Sequence, residues 1–348
     1  MIDRRGDGPS PARILLIGEY WGEEEERRRE PFQGASGILL NSMLHEAGIM
    51  RSECYCTNVA NFRPQEGEAA SWIAVKKKDI TKGHVLFRDK YVLPIIPQAY
   101  ARLLSEIEEV DPNIIVTLGG MSMWLLTGAW GILKWRGSQL NLDGKKEGRK
   151  LIPTINPAAV LREFTLRPAV VLDLRRAAGE RDTKEYTNIP EWKFIVRPSC
   201  TTVLTKLAEL TALCGTEPTW LDFDLETKLG HIDCAGISWS RTEAICIPFM
   251  ARSDPAGYFS EEEEAAIVFA LYRLLTHPNA KVRGQNLLYD CQYCYRHWHW
   301  IPRVAQDTML SHHSCFAGLR KSLDYQASMY CDYYVQWKPD KSTWKEGG

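Results

Sequence analysis

The chain has no apolar run long enough to cross a bilayer, and Met1-Ile2-Asp3-Arg4-Arg5 lacks the apolar core of a secretory leader. A membrane partner is therefore not expected. It also has almost no net charge: 43 Lys and Arg against 44 Asp and Glu leave −1. That excludes a chain that is basic throughout, so any nucleic-acid surface must be a local patch. A disulfide framework is lacking too. Ten cysteines are scattered over 348 residues, which fits a reducing cytoplasm, the expected location. What remains is ordinary globular composition, 45% hydrophobic and 25% charged, in a length that suggests two domains.

The most informative stretch is Trp220-Leu221-Asp222-Phe223-Asp224-Leu225-Glu226-Thr227. Leu221, Phe223 and Leu225 alternate as the buried side of a strand. Asp224 and Glu226, two apart, then project from the opposite face together. Adjacent carboxylates raise each other's pKa unless a cation sits between them, and a hard divalent ion prefers such oxygen ligands. The same stretch also reads as a strand-to-turn junction with solvated acids. A second stretch, Arg283-Gly284-Gln285-Asn286-Leu287-Leu288-Tyr289-Asp290, follows a strand pattern and opens a helix.

In that order the two stretches resemble the first two exonuclease motifs of family A DNA polymerases. The resemblance implies a ribonuclease H-like 3′–5′ exonuclease fold over residues 190–348. Asp224, Glu226 and Asp290 would be its catalytic acids and the ligands of two Mg²⁺ or Mn²⁺ ions, and Thr227 and Asn286 would contact the DNA end. Asp307-Thr308-Met309-Leu310 and Lys321-Ser322-Leu323-Asp324 resemble the same polymerases further along, with Asp307 read as structural. Cys291, Cys294, His297 and His299 invite a zinc reading. Their spacing on one helix is poor for surrounding an ion, so no zinc is expected. That helix is instead read as packing Tyr293, Trp298 and Trp300 against the core.

Residues 1–180 alternate strand and helix, as in a doubly wound α/β domain. Strands are expected over 13–18, 54–59, 113–118 and 151–156, with helices near 36–47 and 98–110. Ile38, Leu39, Met43 and Leu44 are expected to face inward, and the charged run from Glu23 to Glu30 reads as a solvated face. The segments Gly18-Glu19-Tyr20-Trp21-Gly22, Pro31-Phe32-Gln33-Gly34, Thr57-Asn58 and Asn156-Pro157-Ala158 resemble, in order, the motifs of family 4 uracil-DNA glycosylases. By that resemblance Phe32 would stack on a flipped base, Asn58 would read its edge and Glu19 would position water. Asn156 stands where the family has a histidine. An amide can donate a hydrogen bond but cannot carry charge, so uracil excision is expected to be slow or absent. Trp21 replaces the family's proline and is expected to fill the mouth of the site. Only Cys54 and Cys56 lie in this domain, so no iron–sulfur cluster is expected.

The third exonuclease motif, Tyr-x-x-x-Asp or His-x-x-x-x-Asp, does not occur after Asp290, and no polymerase motif is present. The chain therefore resembles the front end of a phage-type family A polymerase, or the product of a split or truncated gene. A polymerase domain in the same or a separate chain would be its partner, with DNA as substrate. A DNA-binding adaptor with both sites inactive and an active uracil-DNA glycosylase are the alternatives.

Overall fold

A computed structural model describes residues 4–65, 68–144, 148–251 and 257–337. The chain divides into two compact units, residues 1–189 with 324–348, and residues 190–323.

In the first unit a five-stranded sheet has the order β2-β1-β6-β8-β7. The strands are β1 (Ile14–Tyr20), β2 (Cys54–Ala60), β6 (Ile114–Leu118), β7 (Leu140–Asn141) and β8 (Lys150–Thr154). All pairs are parallel except β7 with β8. The parallel strands are buried almost throughout, which is why they read as continuous apolar runs. Helices cover both faces, over two separate apolar clusters. Helix Ala35–Glu46 buries Leu40, Met43 and Leu44, but Ile38 is exposed, contrary to the sequence expectation. The stretch between β2 and helix Ile95–Val110 forms a small antiparallel sheet: β3 (Ile73–Ala74), β4 (Val85–Phe87) and β5 (Lys90–Val92), in the order β3-β5-β4.

The expected second domain, 190–348, is corrected at its far end, because residues from Asp324 group with the first unit. The reason is a set of buried polar contacts. The Arg136 guanidinium donates to Asp173 and to Ser328 Oγ (2.7 Å). Gln139 N donates to Tyr334 O (2.7 Å), and Gln336 N donates to Ser138 Oγ (3.1 Å). These groups would be left unsatisfied without residues 328–336 in place.

The second unit is built on a six-stranded sheet of order β14-β13-β10-β11-β12-β9. Its strands are β9 (Lys193–Val196), β10 (Thr219–Lys228), β11 (His231–Ser238), β12 (Glu243–Pro248), β13 (Ala280–Gly284) and β14 (Val304–Asp307). β10, β11 and β12 form an antiparallel meander, and β13 and β14 continue parallel to β10. This order and these directions are those of the ribonuclease H-like fold, so the protein is α/β in both units. Helices Cys200–Thr216 and Glu261–Leu275 pack on each other over the core. Ser260 caps the latter with a full capping box.

Candidate active sites

In the first unit Glu19, Phe32, Asn58 and Asn156 line one cavity of about 150 Å³ at the C-terminal ends of the parallel strands, together with Tyr20 and Glu25. Open α/β sheets place ligands at that end. Gly18 makes the geometry possible: a Cβ there would lie 2.2 Å from Asn58 Oδ1 and 3.0 Å from the Phe32 ring. Phe32 itself takes a left-handed backbone (φ 59°), and its carbonyl packs against Gly37, where a Cβ would sit 1.9 Å from it. Asn58 is buried in the cavity wall, and its backbone N–H donates to Asn61 Oδ1 (3.0 Å).

Both oxygens of Glu19 are engaged. Oε1 accepts from Met121 N (3.0 Å) and Oε2 from Asn156 Nδ2 (3.0 Å). Asn156 is also the N-cap of helix Pro157–Arg162, its Oδ1 accepting from Ala158 N (2.9 Å). Asn156 thus ties the acid to the helix start.

Two expectations are corrected here. Trp21 does not fill the mouth; it is 1% exposed and outside the cavity lining, with its backbone N–H on Phe62 O, while Tyr20 takes the place beside the cavity. Glu25 is not part of a solvated face. It is buried, its carboxylate accepting from Gly22 N (3.1 Å) and Gly34 N (2.8 Å), so it clamps the loop carrying Phe32 to the loop after β1. Sequence reasoning missed it because four consecutive glutamates look alike. The signal was its place three residues after Gly22, the N3 position of a capping box. Cys54 and Cys56 lie in the hydrophobic core of β2, and burial pushes both thiols up, Cys54 to about 12.

In the second unit β10 buries Leu221, Phe223 and Leu225 and exposes Asp224 and Glu226 on its other face. Asp222 pairs with Arg283 of the neighbouring strand (3.0 Å). Gly284 ends β13 with no room for a side chain, since a Cβ would lie 2.6 Å from Phe223 O. Asn286 then turns left-handed (φ 59°), which asparagine tolerates, and opens helix Leu287–Trp298. That path brings Asp290 back onto β10. Its Oδ1 accepts from Leu225 N (2.7 Å), between the two exposed acids. Asp290 is 2% exposed, and its carboxyl is pushed up to about 6, mainly by burial and further by the charge of Asp224. Thr227 Oγ1 hydrogen-bonds the Tyr289 hydroxyl, and Asn286 is exposed.

Asp307 holds the arrangement. Its carboxylate accepts from Asn286 N (3.1 Å) and Leu287 N (2.9 Å) at one helix start, and from Met309 N (2.9 Å) and Leu310 N (3.3 Å) at the next. Cys294 is buried in the core, and His297 Nε2 bonds Gly230 O (3.0 Å) while its ring stacks on Tyr293. Tyr293, Trp298 and Trp300 pack against that core.

An oxygen-only set that includes one buried carboxylate suits a hard divalent cation, which would relieve the repulsion between Asp224 and Asp290. The set is short of ligands, however: among the described residues no three His, Cys, Asp or Glu gather closely enough to hold an ion.

The family model of the Uracil DNA glycosylase superfamily matches residues 5–176. The type-4 uracil-DNA glycosylase of Thermotoga maritima is 32% identical over 176 residues, 49% of this chain and 79% of the relative. A DNA polymerase of Bacillus phage SP01 is 27% identical over 186 residues, 53% of this chain but 17% of the polymerase. Among solved structures, Escherichia coli RNase D overlaps 44% of this chain and 36% of its own, at 14% identity and a TM-score of 0.29.

Proposed function

The chain belongs to the uracil DNA glycosylase superfamily, and from that premise we propose that it is a DNA-processing module of the phage polymerase type. In this reading the first unit grips DNA and admits a base, and the second removes nucleotides from a 3′ end. The observation that carries the nuclease half is the burial of Asp290 against Leu225, between Asp224 and Glu226. The similarity of about half of this chain to 17% of a phage DNA polymerase supports the polymerase-type setting.

Of the acids Asp224, Glu226 and Asp290, the first and last interact through their charges and would hold Mg²⁺ or Mn²⁺ only once Glu226 and ligands from outside this set are drawn in, since the three do not by themselves enclose an ion here. Bound there, the ions would supply Lewis acidity toward the phosphodiester. The protein's own contribution is orientation. Asp307 fixes the two helix starts, the Thr227–Tyr289 pair borders the acids, and exposed Asn286 is available to the terminal nucleotide. In the first unit the Phe32 ring would stack on a base and the Asn58 amide would read its edge. Asn156 cannot become a cation, so excision of that base is slow and the cavity serves mainly to bind.

The test is degradation of 5′-labelled single-stranded DNA by residues 1–348. Weak 3′-end trimming is expected, faster with Mn²⁺ than with Mg²⁺ and abolished by Asp224→Ala. Trimming that survives Asp224→Ala would refute the assignment. A second reading, a DNA-binding adaptor without catalysis, is favoured by the shortfall of ligands and by the Glu19–Asn156 hydrogen bond. It predicts DNA binding with no cleavage in either metal.

A further inference from the structure

Positive charge is locally concentrated in the near-neutral chain. Residues 73–92, the small β3-β5-β4 sheet and its connections, carry six basic against two acidic side chains, a net +4 in a protein of −1. Arg88 and Lys90 are paired, with Asp143 and Asp89. Lys76, Lys77, Lys78 and Lys82 are all exposed and make no ion pair among the described residues. Lys76 caps and Lys77 and Lys78 open a short 3₁₀ turn whose one acid, Asp79, accepts from the Lys76 backbone N–H (3.1 Å), so three adjacent ammonium groups that repel one another are held at the surface.

The position of this charge is set by packing. Ile73 and Val92, paired across the small sheet, are buried in the core of the first unit. Trp72, just before β3, is 1% exposed and meets Tyr20 edge-on at 5.9 Å. Tyr20 lines the base-sized cavity. The lysine segment begins four residues after Trp72, the side chain that touches the cavity-lining Tyr20, and Val75, Leu86 and Tyr91 are exposed along the same small sheet.

We infer that the Lys76–Lys82 segment is a DNA-backbone clamp, seating phosphates of the strand whose base enters the cavity. Lysine ammonium groups are compact point charges that attract phosphate without reading sequence, which suits an element that positions and does not discriminate. The inference rests on the DNA-processing reading above and names the surface through which the first unit would hold its substrate.

The test compares the full chain with its Lys76→Gln/Lys77→Gln/Lys78→Gln variant, by fluorescence anisotropy on a short DNA duplex across a salt titration. Each phosphate contact contributes about 0.9 to the slope of log affinity against log salt. The variant's slope should be shallower by about 2–3, with affinity at low salt down about 10-fold or more. The control removes Arg13, Arg149 and Lys184, which pair with acids or carbonyls at the opposite, N-terminal end of the strands. It should leave the slope within about 1 of wild type. An unchanged slope in the lysine variant, or an equal change in the control, overturns the clamp while leaving DNA binding itself intact. Polyglutamate binding as tightly as DNA and lost in the same variant overturns it in favour of an acidic protein partner. A wild-type chain that binds no DNA overturns the earlier reading and this one together.

Discussion

Asp290→Asn should stabilise the metal-free second unit at alkaline pH. The wild-type carboxyl is buried, and its pKa is raised from an ordinary 3.8 to about 6. A raised acid binds its proton more tightly in the folded state than in the unfolded one, so stability falls as pH rises from about 4 to 6 and the full cost persists above that. Each tenfold change in proton affinity is worth about 1.4 kcal/mol, which puts the cost at about 3 kcal/mol. Asparagine keeps the Oδ1 acceptor for Leu225 N and discards the charge that faces Asp224. In EDTA at pH 8 the β10 amides of the variant should exchange with solvent about 100-fold more slowly than wild type, by mass-spectrometric hydrogen exchange corrected for intrinsic rate. Near pH 4 the two proteins should converge. Mn²⁺ at pH 8 should protect wild type and not the variant. A variant less stable than wild type at pH 8 in EDTA would refute the reasoning, because it would mean that the folded state prefers the ionised carboxylate.

Two further outcomes concern the first unit. Gly18→Ala would put a methyl group 2.2 Å from Asn58 Oδ1, so it should displace that amide at a cost of about 1–3 kcal/mol and lower affinity for uracil-containing single strands, measured by thermal denaturation and anisotropy. Asn156→His should lose the helix cap, costing about 1 kcal/mol, yet raise uracil release about 100-fold by restoring a group that can carry charge, read by alkaline cleavage of uracil DNA. No gain in release would show that the Glu19 contacts, and not the missing charge, limit the site.

Much of the architecture was legible in the chain because its signals are local. The continuous apolar runs of β1, β2, β6 and β8 mark strands buried on both faces. The alternation through β10 puts Asp224 and Glu226 on one side whatever the sheet around them. Ser260 before four glutamates announces a helix start without reference to anything distant. Even so, Ile38 lies exposed on the helix that buries Leu40, Met43 and Leu44, since helical periodicity gives a stripe but not which edge of it is covered.

What only the tertiary structure decided depends on partners far apart in sequence. Glu25 is one of four adjacent glutamates, and only the approach of Gly34 singles it out as buried. Trp21 joins the core because the chain folds over it near Phe62. Residues 324–337 leave the second unit because Arg136, Ser138 and Gln139, nearly two hundred residues earlier, need buried hydrogen-bond partners. The raised pKa of Asp290 arises the same way. Its sequence neighbours say only that a helix begins; its burial against Leu225 and its closeness to Asp224 come from β13 running beside β10. Local pattern sets which face a side chain occupies, whereas desolvation and pairing are set by whatever the fold brings against that face.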